Sequence, residues 1–258
     1  MNLGLDQKVA VVLAASKGLG KASALALSAE GAKVIIGSRN LAELNSTADE
    51  IRQQTGNEVA CLQVDVNNSE QLTSFINKAG NLYGHIDILV NNAGGPPFGK
   101  FEGFDDMQWQ QAFEQNMLSF VRTSRLVLPF MKTTGSGRII NIVSGSVKSV
   151  LTNSVLSTAM RMGVVGMAKM LADELGPYGI SVNNIAPGLI LTDRIKHTLP
   201  QDVDPEEAIK EKTKSIPLGR IGKPEEFAAL VAFLSSTPAA YISGTTIQID
   251  GGASRAIL

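Results

Sequence analysis

One cysteine, two histidines and one tryptophan are all that 258 residues hold of those types. A lone Cys61 closes no internal disulfide, and within Val59-Ala60-Cys61-Leu62 it reads as a small buried hydrophobe. His85 and His197 stand far apart without ligand-spaced partners, so no metal site is expected. An excess of charge is missing too. Lys and Arg number 23 against 24 Asp and Glu, a formal net charge of −1 that gives no footprint for nucleic acid or a membrane surface. The opening Met1-Asn2-Leu3-Gly4-Leu5-Asp6 has neither a basic n-region nor an apolar h-region. No apolar run approaches the roughly 18 residues of a membrane span, so a cytoplasmic protein is expected.

What is present is ordinary globular material: 44% hydrophobic, 18% charged, with 25 glycines. Short apolar runs alternate with longer amphipathic segments. The spacing predicts strands over Lys8–Leu13, Lys33–Gly37, Glu58–Val64, Ile86–Val90, Arg138–Val143, Ser181–Ile185 and Thr246–Ile249. It predicts helices over Leu19–Glu30, Leu41–Gln54, Ser69–Leu82, Met107–Lys132, Val155–Leu175 and Pro224–Leu234. The strands are continuous apolar runs, as expected where helices cover both faces of a parallel sheet. Repeated alternation predicts an α/β Rossmann fold, a doubly wound parallel sheet of about seven strands in one domain spanning 1–258. Leu191–Pro217 is different: polar, charged and carrying Pro200 and Pro205, it predicts an excursion of short helices. Ligands of such folds bind beyond the carboxyl ends of the strands, which makes the excursion a candidate substrate lid.

The first strand runs into Ala14-Ala15-Ser16-Lys17-Gly18-Leu19-Gly20, which opens a helix. Glycines there permit a tight turn and a close approach of backbone to a pyrophosphate, which the helix N-terminus meets with free N–H groups and its positive dipole. This segment resembles the TGxxxGxG turn of the short-chain dehydrogenase/reductase family, with Leu13 in the Thr place and Ala14 in the first Gly place. The resemblance continues in order along the chain: Asn91-Asn92-Ala93-Gly94 after the fourth strand, Asn116 in the long helix, Ser144 ending the fifth strand, and Pro187-Gly188-Leu189-Ile190-Leu191-Thr192. Leu218-Gly219-Arg220 and Asp250-Gly251-Gly252 also fit, and the 3-oxoacyl-carrier-protein-reductase branch is the most similar. The resemblance implies a nicotinamide dinucleotide held by Ala14, Ser16, Lys17, Gly18, Leu19 and Gly20, by Asn92, Ala93 and Gly94, and by Pro187, Gly188, Ile190 and Thr192. Asp65, with Val66 beside it, takes the place of the family's adenine-contacting aspartate; a plain strand-end cap is the alternative.

No carboxylate follows the second strand. NAD-binding domains usually place one there for the ribose 2′-hydroxyl, whereas a cation suits a 2′-phosphate. Here the strand meets Ser38-Arg39, and Lys17 adds a second cation in the glycine turn. A guanidinium can hold a phosphate bidentately with a point charge beside it, which favours NADP(H) over NAD(H). Ala14 departs from the family pattern: if its position needs a positive φ, the turn shifts or carries strain.

The family's catalytic pair, a tyrosine with a lysine four residues on, is also missing. The register after Ser144 puts Ser157 in the tyrosine place and Arg161 in the lysine place. Tyr83, Tyr178 and Tyr241 all lie off the Val155–Leu175 helix. An aliphatic hydroxyl is a much weaker acid than a phenol; a guanidinium keeps its proton at any working pH, so Arg161 can hold a ribose hydroxyl of the cofactor or stabilise an oxyanion but not relay protons, a solvated or interface cation being the alternative. Losing a positioned general acid costs about 10²–10⁴ in rate.

Three readings follow. The first is a reductase of a ketone or 3-oxoacyl thioester, acting through Asn116, Ser144, Ser157 and Arg161. The second is a catalytically impaired NADP(H)-binding sensor or regulatory protein, and the third a lyase or isomerase on the same scaffold. Lys148, four residues after Ser144, could replace the missing cation or be a plain surface lysine. Phe98 and Phe101, with Met160 and Met162, suggest an apolar pocket or plain core. A methyltransferase is disfavoured by Arg39, which stands where an acidic ribose ligand is wanted. The resemblance further implies a homo-oligomer, tetramer or dimer, built on the two longest helices and the last strand.

Overall fold

A computed structural model describes residues 1–196 and 204–257. Seven strands, β1 (Val9–Leu13), β2 (Lys33–Ser38), β3 (Val59–Gln63), β4 (Ile88–Asn91), β5 (Gly137–Ile142), β6 (Ile180–Pro187) and β7 (Thr246–Ile249), form one sheet. Their order is β3-β2-β1-β4-β5-β6-β7, and every pairing is parallel. This is the doubly wound arrangement expected. The order reverses between β1 and β4, which opens a crevice beyond their carboxyl ends.

The helices are α1 (Gly18–Ala29), α2 (Leu41–Thr55), α3 (Ser69–Tyr83), α4 (Asp106–Phe113), α5 (Ser119–Lys132), α6 (Val155–Leu175), α7 (Asp193–Lys196), α8 (Pro205–Thr213) and α9 (Pro224–Ser235). Alternate residues of the buried strands feed two cores. Ala10 and Val12 of β1 join Ala24 and Leu27 of α1, Leu44 and Ile51 of α2 and Phe227 and Val231 of α9. Val9, Val11 and Leu13 join Phe75 and Ile76 of α3, Val127 of α5 and Ala168 of α6 on the other face. A smaller cluster, Ala93, Phe120, Val143, Val164 and Ala186, lies under the crevice.

Local chemistry sets the helix ends. Asn40 and Asn68 cap α2 and α3 by accepting from two backbone N–H groups each, and Gly56 and Gly84 close them in the left-handed conformation. Strand and helix bounds agree with expectation to one or two residues, with one difference. Met107–Lys132 is not a single α-helix: Glu114–Leu118 forms a π-turn between α4 and α5. The excursion contains the short helices α7 and α8; His197 and Pro200 lie outside the described residues.

One expectation about membranes needs correcting. Val155–Tyr178 is, by length and mean hydropathy of 1.2, long and apolar enough to cross a bilayer. Valine, leucine, methionine and alanine raise its hydropathy, while serine, threonine, arginine, glycine and lysine interrupt any continuous run of large apolar side chains. The helix stands against the sheet, with Leu156, Val164, Ala168 and Leu175 buried. Cys61 is half-buried beside α2, and burial pushes its thiol pKa up.

Candidate active site

The glycine turn joins β1 to α1. Ala14 has φ +48°, so the position does need the left-handed conformation and an L-residue carries it. Gly18 has φ +60°, and a Cβ there would lie 3.7 Å from Thr192 Cγ2, so the loop after β6 closes over the turn. A Cβ on Gly20 would come within 2.5 Å of the Ala14 carbonyl oxygen and 2.8 Å of Asn92 Nδ2. That close approach has a function in the turn, because Asn92 Nδ2 donates to the same carbonyl at 3.3 Å and ties the turn to the loop after β4. Lys17 occupies the N-cap position of α1 without a side-chain cap, unlike Asn40 and Asn68 at α2 and α3. The first amides of α1 therefore have no side-chain partner.

The far side of the turn leans on β2 and α2. Ala15 N–H donates to Gly37 O at 3.1 Å, and Thr47 Oγ1 donates to Ser16 O at 2.7 Å. Lys17 and Arg39 are exposed, and neither makes an ion pair among the described residues. Ser38 is buried, its hydroxyl 3.4 Å from Asn40 O. Asp65 Oδ1 accepts from Asn67 N–H at 3.0 Å, so a local cap occupies one carboxylate oxygen. Val66 is half-buried and packs against both neighbouring apolar clusters.

The loops after β4, β5 and β6 meet under the crevice. Gln115 Nε2 donates to Gly94 O at 2.6 Å. A Cβ on Gly145 would lie 3.0 Å from Pro187 O, and one on Gly188 would lie 2.5 Å from Asp250 Cβ. Ile190 is buried and bridges to Gly222. Ser144 Oγ accepts twice from Ser146, from its N–H at 3.2 Å and its Oγ at 3.0 Å. Two donors into one oxygen leave the Ser144 proton as the one it can give.

Arg161 is not the solvated or interface cation that was its alternative: the side chain is buried, 5% exposed. Nη1 donates to Ile142 O at 2.5 Å, and Nη2 donates to Asn116 Oδ1 at 3.1 Å and to Ala93 O at 3.4 Å. All three acceptors are neutral. Burial, and secondarily the charge of Arg194, lower its pKa from the ordinary guanidinium value to about 10, so it remains a cation at neutral pH. Asn116 sits in the π-turn, and its Nδ2 is buried without a partner. A π-turn inside a helix is often found at a functional site. Met117 beside it fills the space over Gly163, where a Cβ would come within 2.7 Å of its sulfur.

Among the described residues, half-buried Ser157 has no hydrogen bond to its hydroxyl, and Lys148, half-buried in the turn after Ser144, makes no side-chain bond. Phe98 and Phe101 are exposed, Phe101 edge-on to Trp109 at 6.0 Å, so neither is plain core. Met160 is half-buried and Met162 is exposed on α6. No tyrosine approaches this region: Tyr83 lies under Lys33, Tyr178 under Lys132, and Tyr241 is fully exposed. Arg194, which no motif marked, bonds to the carbonyls of Gly95 and Pro96.

A glycine turn and an uncapped helix N-terminus beside the reversal of strand order define a nucleotide-binding doubly wound fold. More narrowly, the chain belongs to the short-chain dehydrogenase/reductase family. Residues 13–254 match the family model described as enoyl-(acyl-carrier-protein) reductase. The 3-oxoacyl-(acyl-carrier-protein) reductase of Vibrio cholerae is 36% identical over 252 residues, covering 97% of this chain and 98% of that one. Among solved structures, L-sorbose reductase from Gluconobacter frateurii with NADPH and L-sorbose aligns at TM-score 0.96 and 30% identity, covering 100% of both chains. A 7α-hydroxysteroid dehydrogenase with NADH and 7-oxo glycochenodeoxycholic acid aligns at TM-score 0.90 and 33% identity, covering 97% of this chain and 96% of that one.

Proposed function

We propose that this protein is an NADP(H)-dependent reductase of a small-molecule carbonyl, a ketone or 3-oxoacyl thioester. The observation that carries the reading is the cradle at α1, where uncapped amides, the Gly18 and Gly20 backbone and unpaired Lys17 and Arg39 suit a dinucleotide with a 2′-phosphate. Relatives bind either nicotinamide cofactor, so the choice of NADP(H) rests on those two cations. Ser16 and Leu19 complete the turn, Ser38, Asp65 and Val66 flank the adenosine side, and Ala93, Gly94, Pro187, Gly188, Ile190 and Thr192 line the nicotinamide side. Bound there, NADPH would supply the hydride that reduces the carbonyl carbon, with NADP⁺ as the oxidised product.

The chain supplies the rest. Ser144 presents its proton to the carbonyl oxygen, and the two bonds from Ser146 stabilise charge left on Ser144 Oγ until water returns the proton. Arg161 holds the ends of β4 and β5 together and adds a fixed positive field to the oxygen that gains charge. Asn116 Nδ2, buried and unpartnered, is the donor free for a ribose hydroxyl, a water or the substrate. Ser157 leaves room where the family carries a phenol.

The test is NADPH oxidation by highly purified protein against a broad carbonyl panel, beside a Gly20→Val control purified identically. Loss of NADPH absorbance with at least one carbonyl, absent from the control, is the expected result. A second reading, a cofactor-binding sensor without turnover, is favoured by the Arg161 cage, since a pinned guanidinium relays no proton. It predicts that NADPH raises the melting temperature while no carbonyl oxidises it. We also propose a cytoplasmic homo-oligomer, dimer or tetramer.

A further inference from the structure

Arg194 stands in α7, directly after the Pro187–Thr192 loop. Its Nη1 donates to Gly95 O at 3.1 Å and its Nη2 to Pro96 O at 3.0 Å, while Cζ lies 5.3 Å from the centre of the Phe98 ring. A Cβ on Gly95 would sit 2.6 Å from Nη2, so the loop after β4 is shaped to let the guanidinium lie on it. Arg52, Arg122 and Arg220 meet carboxylates, at Asp49, Glu114 and Glu226, whereas Arg39, Arg125, Arg138, Arg161 and Arg255 form no ion pair among the described residues. Arg194 meets no carboxylate among the described residues. Two of its five N–H donors serve neutral carbonyls, and its charge is uncompensated. Arg161, close enough to feel that charge, is likewise held only by neutral oxygens. Two guanidinium ions beside one crevice, with no counter-ion among the described residues, make a positive field that an incoming anion relieves.

We infer that the substrate is a carbonyl compound bearing a separate oxyanion, carboxylate or phosphate, which Arg194 binds with the donors it has left, between the loop after β4 and α7. The inference rests on the reductase reading and names its substrate class. Exposed Phe98, Val150 and Leu151 on the loops after β4 and β5 offer the body of such a substrate an apolar rim.

Matched probes test this: acetoacetate against methyl acetoacetate, and dihydroxyacetone phosphate against dihydroxyacetone. With NADPH present, kcat/KM is expected to favour one anion over its neutral partner by about tenfold or more, the scale of one charge-assisted hydrogen bond. Whichever pair shows it identifies carboxylate or phosphate. Arg194→Gln should bring that ratio near one, chiefly through KM, and Arg194→Lys should restore part of it. Without reference to turnover, the same anion should raise the melting temperature of the NADPH-loaded wild type and not of Arg194→Gln. Reduction of neutral and anionic probes alike, with Arg194→Gln lowering both equally, would overturn the inference and leave the reductase reading standing. An Arg194-dependent thermal shift with no probe reduced would do the reverse. No anion effect in either measurement would also overturn the inference and make Arg194 a strut between α7 and the loop after β4.

Discussion

At Ala14 the chain pays a conformational cost inside the turn on which the cofactor reading depends. An L-residue at φ +48° is disfavoured by roughly 1–2 kcal/mol, and part of that returns when glycine takes the place, because glycine loses more freedom on folding. Ala14→Gly is therefore expected to stabilise by about 0.5–1 kcal/mol, a melting-temperature rise of about 1–4 °C in a chain of this size. Differential scanning fluorimetry decides it, and an unchanged or lower midpoint would show that the turn holds no strain. Sequence alone could pose this question, since the family pattern has glycine there, but the sign of φ needed coordinates. Ser157 was equally legible, a small hydroxyl by register. The burial of Arg161 was not, because an arginine on a helix is ordinarily solvated and its acceptors come from Ile142, Ala93 and Asn116, far away in the chain.

Those acceptors are the link between single residues and whole elements. Arg161 fastens α6 to the end of β5, to the loop after β4 and to the π-turn carrying Asn116. Arg161→Met leaves these oxygens without that donor at about 1–3 kcal/mol each, offset in part because a charge is no longer buried. The net expectation is a loss of about 2–4 kcal/mol and a midpoint lower by roughly 5–12 °C. Its pH dependence follows from the pKa, which folding lowers from the ordinary guanidinium value to about 10. The unfolded chain binds this proton more tightly, so the group's contribution to stability is fullest above the ordinary guanidinium pKa and is lost as pH drops through about 10. Between pH ~6 and ~9 the guanidinium stays charged in both states, and the difference between wild type and variant should be flat across that range. A difference that varies there, followed by thermal melts at several pH values, would mean that another group titrates with the cage. Helix and strand positions were readable from apolar periodicity, whereas the π-turn was not: one extra residue per turn over Glu114–Leu118 barely disturbs the spacing of buried positions.

The whole sheet could be read before its coordinates because every level agreed: continuous apolar strands, amphipathic helices between them, and asparagine or glycine at the helix ends. What lies outside the sheet follows a different logic. Only 28% of the apolar Val155–Tyr178 window is buried within one chain. Met162, Gly166 and Met170 form an exposed stripe at four-residue spacing along α6, with Met170 59% exposed. At the sheet's edge, β7 is half-buried along all four residues and pairs on one side only, with β6. An apolar stripe of this kind costs free energy in water, and a second copy that covers it recovers about 25 cal/mol for each Å² of apolar area removed. Small Gly166 at the centre of the stripe lets two such helices approach closely, and nothing lies within 4 Å of the Cβ it lacks. Light scattering at micromolar concentration should therefore return two or four times the mass of one 258-residue chain. Gly166→Arg should shift that mass toward the monomer, since an unpaired guanidinium would have to be buried at the contact. Circular dichroism should stay native, because the new side chain points into open space within the chain. A monomeric wild type would remove the oligomer from this account and leave the exposed stripe without an occupant.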